Sequence, residues 1–421
     1  MKTNKSQHSV FKVIATLASL LALSGCNISI DDGEDSGGTG GGGSTPPVVQ
    51  GDCNAAVDGV NWAALMTENC EKLSDYNLFA DKRDPTSNPN SGGVPYDLST
   101  ALFTDYATKY RYIFIPEGKV VNYSEHEVLE FPVGSVLVKT FAMPENTSFR
   151  DGKERLIETR LLIRRETGWV ARPYYWETKR DAVLAIAGKT IPDMTTNHNG
   201  ADLTFTYSVP KATSCTSCHS VVPLLQGADD TRGAIFKPIG PKARFLNKDY
   251  DYGDTIANQL AYWEQKGILA NLPANMAAVS KAPIFTDTTN INALTTDQLM
   301  DTAKAYLDIN CAHCHRSEYT LPEPNYAGPA GGSGLQVEYN RPVEENPGKF
   351  GVCKTPVAGG HQDYPNDVIP QAPDSSYLLF RVSTTDQRHR MPELGRSTVH
   401  AEGVSLLRAW INNLPAASCT P

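Results

Sequence analysis

Two short strings of cysteine and histidine have the clearest capacity for chemistry in this sequence. They are Cys215-Thr216-Ser217-Cys218-His219 and Cys311-Ala312-His313-Cys314-His315. Two thiols three residues apart lie on one helical turn, where each can form a thioether with one vinyl group of a haem. The histidine that follows is then placed to ligate the iron. The pattern predicts two covalently bound haem c groups, attached through the four cysteines, with His219 and His315 as proximal iron ligands.

The same spacing of cysteines also occurs in redox dithiols and in zinc sites. A single copy would leave those interpretations open, but two copies in a chain that is predicted to be exported favour haem. A zinc ribbon needs paired C-x-x-C units that share one metal, and the histidine after each pair would then have no role. His313 lies between the two cysteines of its motif and is interpreted as a solvent-facing residue, not as a ligand.

The second motif follows a segment that predicts an amphipathic helix. Thr295 and Gln298 have the spacing of a capping box, in which each side chain bonds the backbone N–H group of the other residue. Apolar residues then recur at helical spacing on one face. The helix is expected to deliver Asn310 and Cys311 into the motif, and the string around it resembles the first helix of bacterial cytochromes c.

Met391 is the predicted distal ligand of the second haem. It lies on a proline-flanked loop, in the string Arg390-Met391-Pro392-Glu393-Leu394-Gly395. The loop precedes a predicted helix whose apolar face carries Val404, Leu407, Ile411 and Leu414. This placement resembles class I cytochromes c, where His/Met ligation raises the iron potential relative to two imidazoles. The alternative to iron ligation is that Met391 is a core methionine on a loop.

The distal ligand of the first haem is left open by the sequence. Neither methionine nor histidine occurs between His219 and Lys266, the end of a helix predicted over residues 256–266. Met276, which follows that helix, is the leading candidate, although it also suits an apolar gap-filling role. His198, upstream of the motif, is a second candidate. A ligand from the β-rich region, a ligand from the other unit and an open iron are the remaining alternatives.

The elements that must position these residues differ between the two halves of the chain. Residues 51–80 are predicted to be mostly helical, and β patterns follow. The predicted strands are 112–115, 136–138, 156–163, 169–176, 183–186 and 203–209. The predicted fold is therefore multidomain: an all-β, sandwich-like domain over 51–210, then two mainly α cytochrome c-like domains over 211–285 and 286–421.

The N-terminus has the features of an exported lipoprotein. Residues 1–25 are predicted to be a signal peptide, with three lysines ahead of an apolar segment too short to span a bilayer. The string Leu23-Ser24-Gly25-Cys26 resembles a lipobox, so Cys26 is expected to be acylated. The alternative is ordinary secretion with cleavage nearby. The Gly- and Pro-rich residues 26–50 are predicted to form a flexible tether. Asn27, by resemblance to Gram-negative sorting rules, favours the outer membrane.

Four of the nine cysteines remain after the haem motifs and Cys26 are assigned. They are Cys53, Cys70, Cys353 and Cys419. In an oxidising compartment, four such cysteines suggest two disulfides with three alternative pairings. The most local arrangement, Cys53 with Cys70 and Cys353 with Cys419, is favoured over the others and over free buried thiols.

Four further strings carry a resemblance to a known family. They are Gly240-Pro241-Lys242-Ala243-Arg244-Phe245-Leu246-Asn247 with Asn258-Gln259-Leu260, Phe131-Pro132-Val133-Gly134-Ser135-Val136-Leu137-Val138-Lys139-Thr140-Phe141, and Glu158-Thr159-Arg160-Leu161-Leu162. Over about residues 70–415 the chain resembles a family of dihaem c-type cytochrome lipoproteins of Gram-negative bacteria. The resemblance implies haem binding and electron transfer, and it implies no substrate.

The expected function is electron transfer with redox partner proteins, at an outer membrane facing the periplasm or the cell surface. The net charge of −9 argues against nucleic acid as a partner, because nucleic-acid binding needs a basic face. Two other classes of function stay open. One is a peroxidase-like dihaem enzyme with an open first haem, and the other is a tethered binding module whose haems report redox state.

Overall fold

The structure, a computed structural model, describes residues 51–150, 154–178, 180–224, 233–316, 325–357 and 363–419. The predicted signal peptide at 1–25, the lipidation site Cys26 and the tether at 26–50 lie outside the described residues. Contacts place residues 50–421 in one unit. Within the described part of the chain, no helix is both long enough and apolar enough to cross a membrane.

Nine described strands follow one another from residue 93 to 209, and helices and short strands are interspersed from residue 216 onward. The strands are β1 Gly93–Pro95, β2 Thr108–Phe114, β3 Val121–Asn122, β4 Val136–Met143, β5 Arg155–Arg165, β6 Gly168–Thr178, β7 Asp181–Leu184, β8 Lys189–His198, β9 Ala201–Val209, β10 Ser220–Leu224, β11 Ile235–Phe236, β12 Asp249–Asp251, β13 Ile256–Asn258, β14 Leu269–Ala270 and β15 Asn325–Ala327. The α-helices are α1 Trp62–Thr67, α2 Thr216–His219, α3 Ala243–Leu246, α4 Gln259–Gln265, α5 Thr296–Asn310, α6 Tyr377–Ser383 and α7 Ala401–Asn413.

An antiparallel sheet of six strands, in the order β1-β2-β4-β5-β6-β7, lies between two hydrophobic clusters. Side chains alternate between the two faces of a strand, so neighbouring residues enter different clusters. Ile113 and Leu137 are paired across β2 and β4 and belong to one cluster. Tyr112 and Val138 are the adjacent pair and belong to the other. Both faces of the sheet are therefore covered.

The prediction of a sandwich-like β domain followed by two mainly α cytochrome c-like domains is wrong. Of the described residues, 24% are helical and 27% are strand. In the first expected α domain, α2 and α3 have four residues each and α4 has seven, and strands β10–β14 lie among them. Helices this short present too little apolar surface to enclose a core. Their residues Phe245, Leu260 and Trp263 instead share a cluster with Ile113 of the sheet and Ile309 of α5.

Residues 51–80 are less helical than expected. They form two 3₁₀ turns, Asp52–Asn54 and Leu73–Tyr76, around the six-residue α1, whose first turn is capped by the Asn61 side chain. Leu65 and Leu73 pack onto the second face of the sheet. The expected strand at 203–209 exists as β9, but it pairs only with β8, outside the six-stranded sheet.

The helices α4, α5 and α7 lie close to the predicted positions. The capping box of Thr295 and Gln298 is confirmed at the start of α5. In α7, Leu407 and Ile411 are buried as expected. The helix expected over 256–266 is shorter: its first residues form β13, and α4 begins after Asn258, whose side chain accepts hydrogen bonds from the next turn.

Two disulfides are present. Cys53 is bonded to Cys70 with 5.5 Å between their Cα atoms, and Cys353 is bonded to Cys419 with 4.8 Å. The second bridge ties the chain beyond α7 to the long segment between α5 and α6. The described cysteines without a disulfide are the four of the two C-x-x-C-H motifs.

Candidate functional site

The first motif forms a turn of helix. A 3₁₀ turn at Ala212–Cys215 runs directly into α2, which contains Cys218 and ends at His219. The Nδ1 atom of His219 lies 2.7 Å from the carbonyl oxygen of Lys237. A carbonyl only accepts, so Nδ1 carries the proton and Nε2 keeps its lone pair. The ring also stacks on Phe236, with 4.8 Å between centroids.

The second motif follows directly on α5. The helix ends at Asn310, and Cys311 is its C-cap. The backbone then turns tightly, with the N–H groups of Cys314 and His315 both donating to the carbonyl oxygen of Cys311, at 3.0 and 2.8 Å. His315 Nδ1 is hydrogen-bonded to Ser333 Oγ at 2.8 Å, so its Nε2 is the nitrogen left for a metal.

Both histidines are held in the neutral form. Burial lowers the pKa of His219 to about 3. Burial, together with the nearby charge of Arg381, lowers the pKa of His315 to about 4. A neutral imidazole whose other nitrogen is hydrogen-bonded is the form in which histidine ligates metals.

The fold brings the two motifs together. Cys218 Sγ, a ring nitrogen of His313 and Cys314 Sγ all lie within 4.8 Å of one another. The Cys314 thiol also approaches the carbonyl oxygen of Ser217, at 3.7 Å. β10 follows the first motif and β15 comes after the second, and these strands pair antiparallel in the sheet β11-β10-β15. This pairing joins segments that are far apart in the sequence.

The contact between the motifs changes the acidity of the thiols. A hydrogen bond between Cys314 and Cys218 lowers the pKa of Cys218 and raises that of Cys314. Burial raises the pKa of Cys311 to about 12. His313 is not simply solvent-facing, because its Nδ1 is buried and has no hydrogen-bond partner among the described residues.

A glycine after β15 permits the close packing of the second motif. A Cβ atom on Gly328 would lie 2.4 Å from the carbonyl oxygen of Cys314, a backbone atom that cannot rotate away. The Gly328 N–H donates to the Arg316 carbonyl at 2.9 Å, and the Ala330 N–H donates to the Cys314 carbonyl at 3.1 Å. The chain on either side of the glycine therefore wraps the motif.

A pocket opens beside His219, with an empty volume of about 360 Å³ that includes open solvent. It is lined by Glu127, Val128, Cys218, His219, Val221, Lys237, Pro238, Ile239, Lys242, His313, Arg316 and Tyr326. Arg316 pairs with Glu127, and Lys242 pairs with Asp308 at 2.9 Å. Lys237 lies over the Tyr326 ring, 3.8 Å from its centroid. The enclosed part of this space holds little more than one water molecule, so it is far smaller than a haem, and its basic lining would suit an anionic group.

The residues present fit a covalently attached haem at each motif. Each motif supplies two thiols without a disulfide, in contrast to the other four described cysteines. Each supplies a neutral histidine with Nε2 left for the iron. In the pocket beside His219, Lys237 could pair with a haem carboxylate, whereas Arg316 and Lys242 already pair with Glu127 and Asp308. The attachment itself stays a prediction.

The structure places the Met391 loop near the second motif. The Met391 N–H donates to the Arg381 carbonyl at 2.8 Å, and Arg396 Nε donates to the Met391 carbonyl at 2.9 Å. The Arg381 charge acts on His315, and the charge of Glu393 in the same loop acts on Cys314. The charges of Arg381 and Glu393, which neighbour Met391 in the structure or the sequence, therefore act within electrostatic range of the second motif, and ligation by the Met391 sulfur stays a prediction.

Met276 and His198, the two candidates for the distal ligand of the first haem, make their contacts in other parts of the structure. Met276 begins a 3₁₀ turn, Met276–Ala278, and packs against the cluster that contains Trp263. Both ring nitrogens of His198 are engaged: Nδ1 lies 2.8 Å from Thr147 Oγ1 and Nε2 lies 2.9 Å from Glu402 Oε1. His198 is therefore committed to a different cluster in this structure.

Comparisons with models of protein families, with curated proteins and with solved structures gave no match. The site is consequently argued from its residues and geometry, and the resemblance to dihaem lipoproteins stays a prediction.

Sequence reasoning missed a buried ion-pair network next to the site. Asp308 in α5 accepts from Lys242 Nζ at 2.9 Å and pairs with Arg244 Nη2 at 2.8 Å, and all three residues are buried. Burial alone would raise the pKa of Asp308, but Arg244 and Lys242 outweigh it and lower the pKa to about 2. The signal in the sequence was an acidic residue between the apolar Leu307 and Ile309.

Proposed function

We propose that this chain is a dihaem c-type electron-transfer protein, with haem attached through Cys215 and Cys218 and through Cys311 and Cys314. The observation that carries the proposal is the convergence of the two motifs, with the sulfur atoms of Cys218 and Cys314 within 4.8 Å of each other. Haem bound at each motif would supply one-electron redox chemistry. Because the motifs meet, the two groups would be close enough to exchange electrons.

The residues of the chain set the conditions for that exchange. The Lys237 carbonyl and Ser333 hydroxyl orient the rings of His219 and His315, and burial keeps both rings neutral. Outer partners of this kind raise the basicity of a metal ligand and tune its potential. Met391 is the proposed distal ligand at the second motif. The basic side chains of the pocket stabilise negative charge beside His219.

The cellular setting belongs to the same proposal. The signal-peptide and lipobox resemblance at residues 1–26 supports export and a lipid anchor on Cys26, facing the periplasm or the cell surface. The proposed partners are redox proteins that exchange electrons with the chain.

The test is the mass of the mature protein after acid extraction, which removes haem that is not covalently bound. We expect two covalent additions in the wild type. Cys218→Ala and Cys314→Ala each remove one of the two thioethers at one motif, so each is expected to weaken the retention of one haem only. His313→Ala is the matched control, because it changes the same turn without touching an attachment residue, and it is expected to keep both additions.

A second candidate function is a bound metal ion shared by the motifs. Its support is the cluster of Cys218, His313 and Cys314, a Cys/His set of the type that binds zinc. It would leave Cys215, Cys311 and both terminal histidines without a role. The His313→Ala variant separates the candidates: loss of a stoichiometric metal with no covalent haem favours the shared ion, and two retained haems favour the electron carrier.

A further inference from the structure

A second group of potential ligands involves residues outside the haem motifs. His400 is the N-cap of α7, Glu402 lies in the first turn of the same helix, and Asp287 lies in the segment before α5. A ring nitrogen of His400 and one carboxylate oxygen from each acid lie within 4.8 Å of one another. These three residues are called the histidine–carboxylate cluster below.

The histidine points an unpartnered nitrogen at the two acids. His400 Nε2 lies 3.5 Å from Asp287 Oδ1 and 3.8 Å from Glu402 Oε2. It is buried and makes no hydrogen bond to any described residue, while the side chain as a whole is 10% exposed. The other ring nitrogen, Nδ1, is bonded to the Tyr306 hydroxyl at 3.0 Å. A buried ring nitrogen that faces two carboxylates at 3.5 and 3.8 Å without a well-formed hydrogen bond is uncommon.

The neighbours of the cluster hold its members in place. The His400 ring stacks on Phe103, with 4.3 Å between centroids and 9° between planes. Glu402 Oε1 lies 2.9 Å from His198 Nε2, and Glu402 Oε2 accepts from the Tyr106 hydroxyl at 3.0 Å. A carboxylate oxygen has two lone pairs, so Oε2 retains the capacity for a further partner.

The spacing of the three ligand atoms suits a small divalent ion. Nitrogen and oxygen atoms about 2.0–2.1 Å from a tetrahedral zinc ion lie roughly 3.3 Å apart. The observed 3.5 and 3.8 Å separations are larger by only a few tenths of an ångström. A hydrogen bond between Nδ1 and an oxygen partner, as His400 has with Tyr306, is also the usual outer contact of a metal-bound histidine.

We propose that His400 Nε2, Asp287 Oδ1 and Glu402 Oε2 bind a divalent transition-metal ion of the zinc class. The ion would join the start of α7 to the segment before α5, and through Glu402 and His198 to the β8–β9 hairpin. The proposal does not depend on haem binding.

The nearby charges are compatible with a bound cation. Arg150 Nη2 contacts Asp287 through Oδ2, at 3.2 Å, and leaves Oδ1 directed at His400. Two carboxylates face the site and one guanidinium contacts one of them, so the net charge of these three groups is negative. The Asp287 side chain is 33% exposed, which provides a route from solvent to a site whose histidine is buried.

The test is zinc binding to the full-length haem-loaded protein after treatment with a chelator. Calorimetric titration with Zn²⁺ and elemental analysis after dialysis are expected to show one retained zinc, which is counted separately from haem iron. Asp287→Asn and Glu402→Gln keep the shape of each side chain and are expected to weaken zinc binding by about 100-fold or more. Zinc is also expected to raise the melting temperature of the wild type and not that of Asp287→Asn.

Two controls keep the test decisive. Asp374→Asn alters an exposed acid that pairs with Arg408 of α7 at 2.7 Å, and it is expected to leave zinc binding unchanged. His313→Ala removes the histidine at the haem motifs and is also expected to leave it unchanged. Absence of retained zinc in the wild type would overturn the proposal and identify the cluster as histidine–carboxylate pairs alone. Zinc lost with His313→Ala but kept by Asp287→Asn would overturn it as well.

Discussion

At the scale of single residues, burial keeps His219 and His315 neutral throughout the pH range above about 4. Neutral imidazole is the form that ligates iron, so neither residue has to lose a proton before binding. The sequence predicted these two residues from their place after the cysteines. It could not predict the Lys237 and Ser333 partners, because both lie in loops whose course depends on the whole fold.

Replacement of Met391 by alanine is expected to open the second haem only. The sulfur is the proposed distal ligand, and its removal would leave a position at which carbon monoxide can bind the reduced protein. The measurement is the visible spectrum on addition of carbon monoxide, with cyanide used for the oxidised protein. Met66→Ala, in the partly exposed α1, is the control and is expected to behave like the wild type.

The same measurement separates the carrier from a redox enzyme. Rapid binding of carbon monoxide at one haem of the wild type, together with turnover of peroxide, would contradict the carrier. We expect no turnover of peroxide, because catalysis at an open iron needs a positioned acid–base group. His198, the second candidate for the distal ligand of the first haem, is hydrogen-bonded through its two ring nitrogens to Thr147 and Glu402.

Asp308→Asn is expected to cost about 3–5 kcal/mol of the free energy of unfolding at neutral pH. The change leaves the buried cations of Lys242 and Arg244 without their shared carboxylate. Chemical denaturation measures the loss. Asp374→Asn, at an exposed ion pair, is the control and is expected to change stability by less than about 1 kcal/mol.

The pH dependence of stability gives a second measure of the same network. The pKa of Asp308 falls from 3.8 to about 2 on folding, so the unfolded chain takes up its proton first as the pH falls. The stabilisation is present above about pH 4 and is lost as the pH falls towards 2. Wild type is expected to lose more stability than Asp308→Asn over this interval, and equal losses would contradict the network.

At the scale of elements, local sequence patterns predicted where helices and strands lie better than they predicted which elements pair or pack together. The capping box at Thr295 and Gln298 and the six expected strands are present, because both depend on residues close in the sequence. Alternation shows which residues share a face of a strand, but not what covers that face. The helical segments expected to form separate domains bury Leu260 and Trp263 against the sheet instead, and β9 pairs outside it.

Gly328→Ala is expected to destabilise the second motif by about 1–3 kcal/mol, as overpacking does elsewhere. The added Cβ would meet the backbone of Cys314 at 2.4 Å, and the turn around the motif would have to shift. Chemical denaturation and haem content after expression are the measurements. Gly332→Ala is the matched control, since its Cβ would have no neighbour within 4 Å. Equal effects of the two substitutions would contradict the proposed packing.

At the scale of the whole molecule, the central feature is the meeting of two motifs that lie far apart in the sequence. Pairing of β10 with β15 and the ion pairs of Asp308 with Lys242 and Arg244 hold them together. The sequence contains both motifs but no signal of their approach, because long-range strand pairing is not visible in a local pattern. The approach is what turns two separate attachment sites into a candidate path for electrons.

The most direct test of this account is the intact mass of the mature full-length protein after acid extraction. The account predicts two covalent haem additions in the wild type, impaired retention of one in Cys218→Ala and in Cys314→Ala, and two in His313→Ala. A wild-type mass with one covalent haem or none would contradict the central claim.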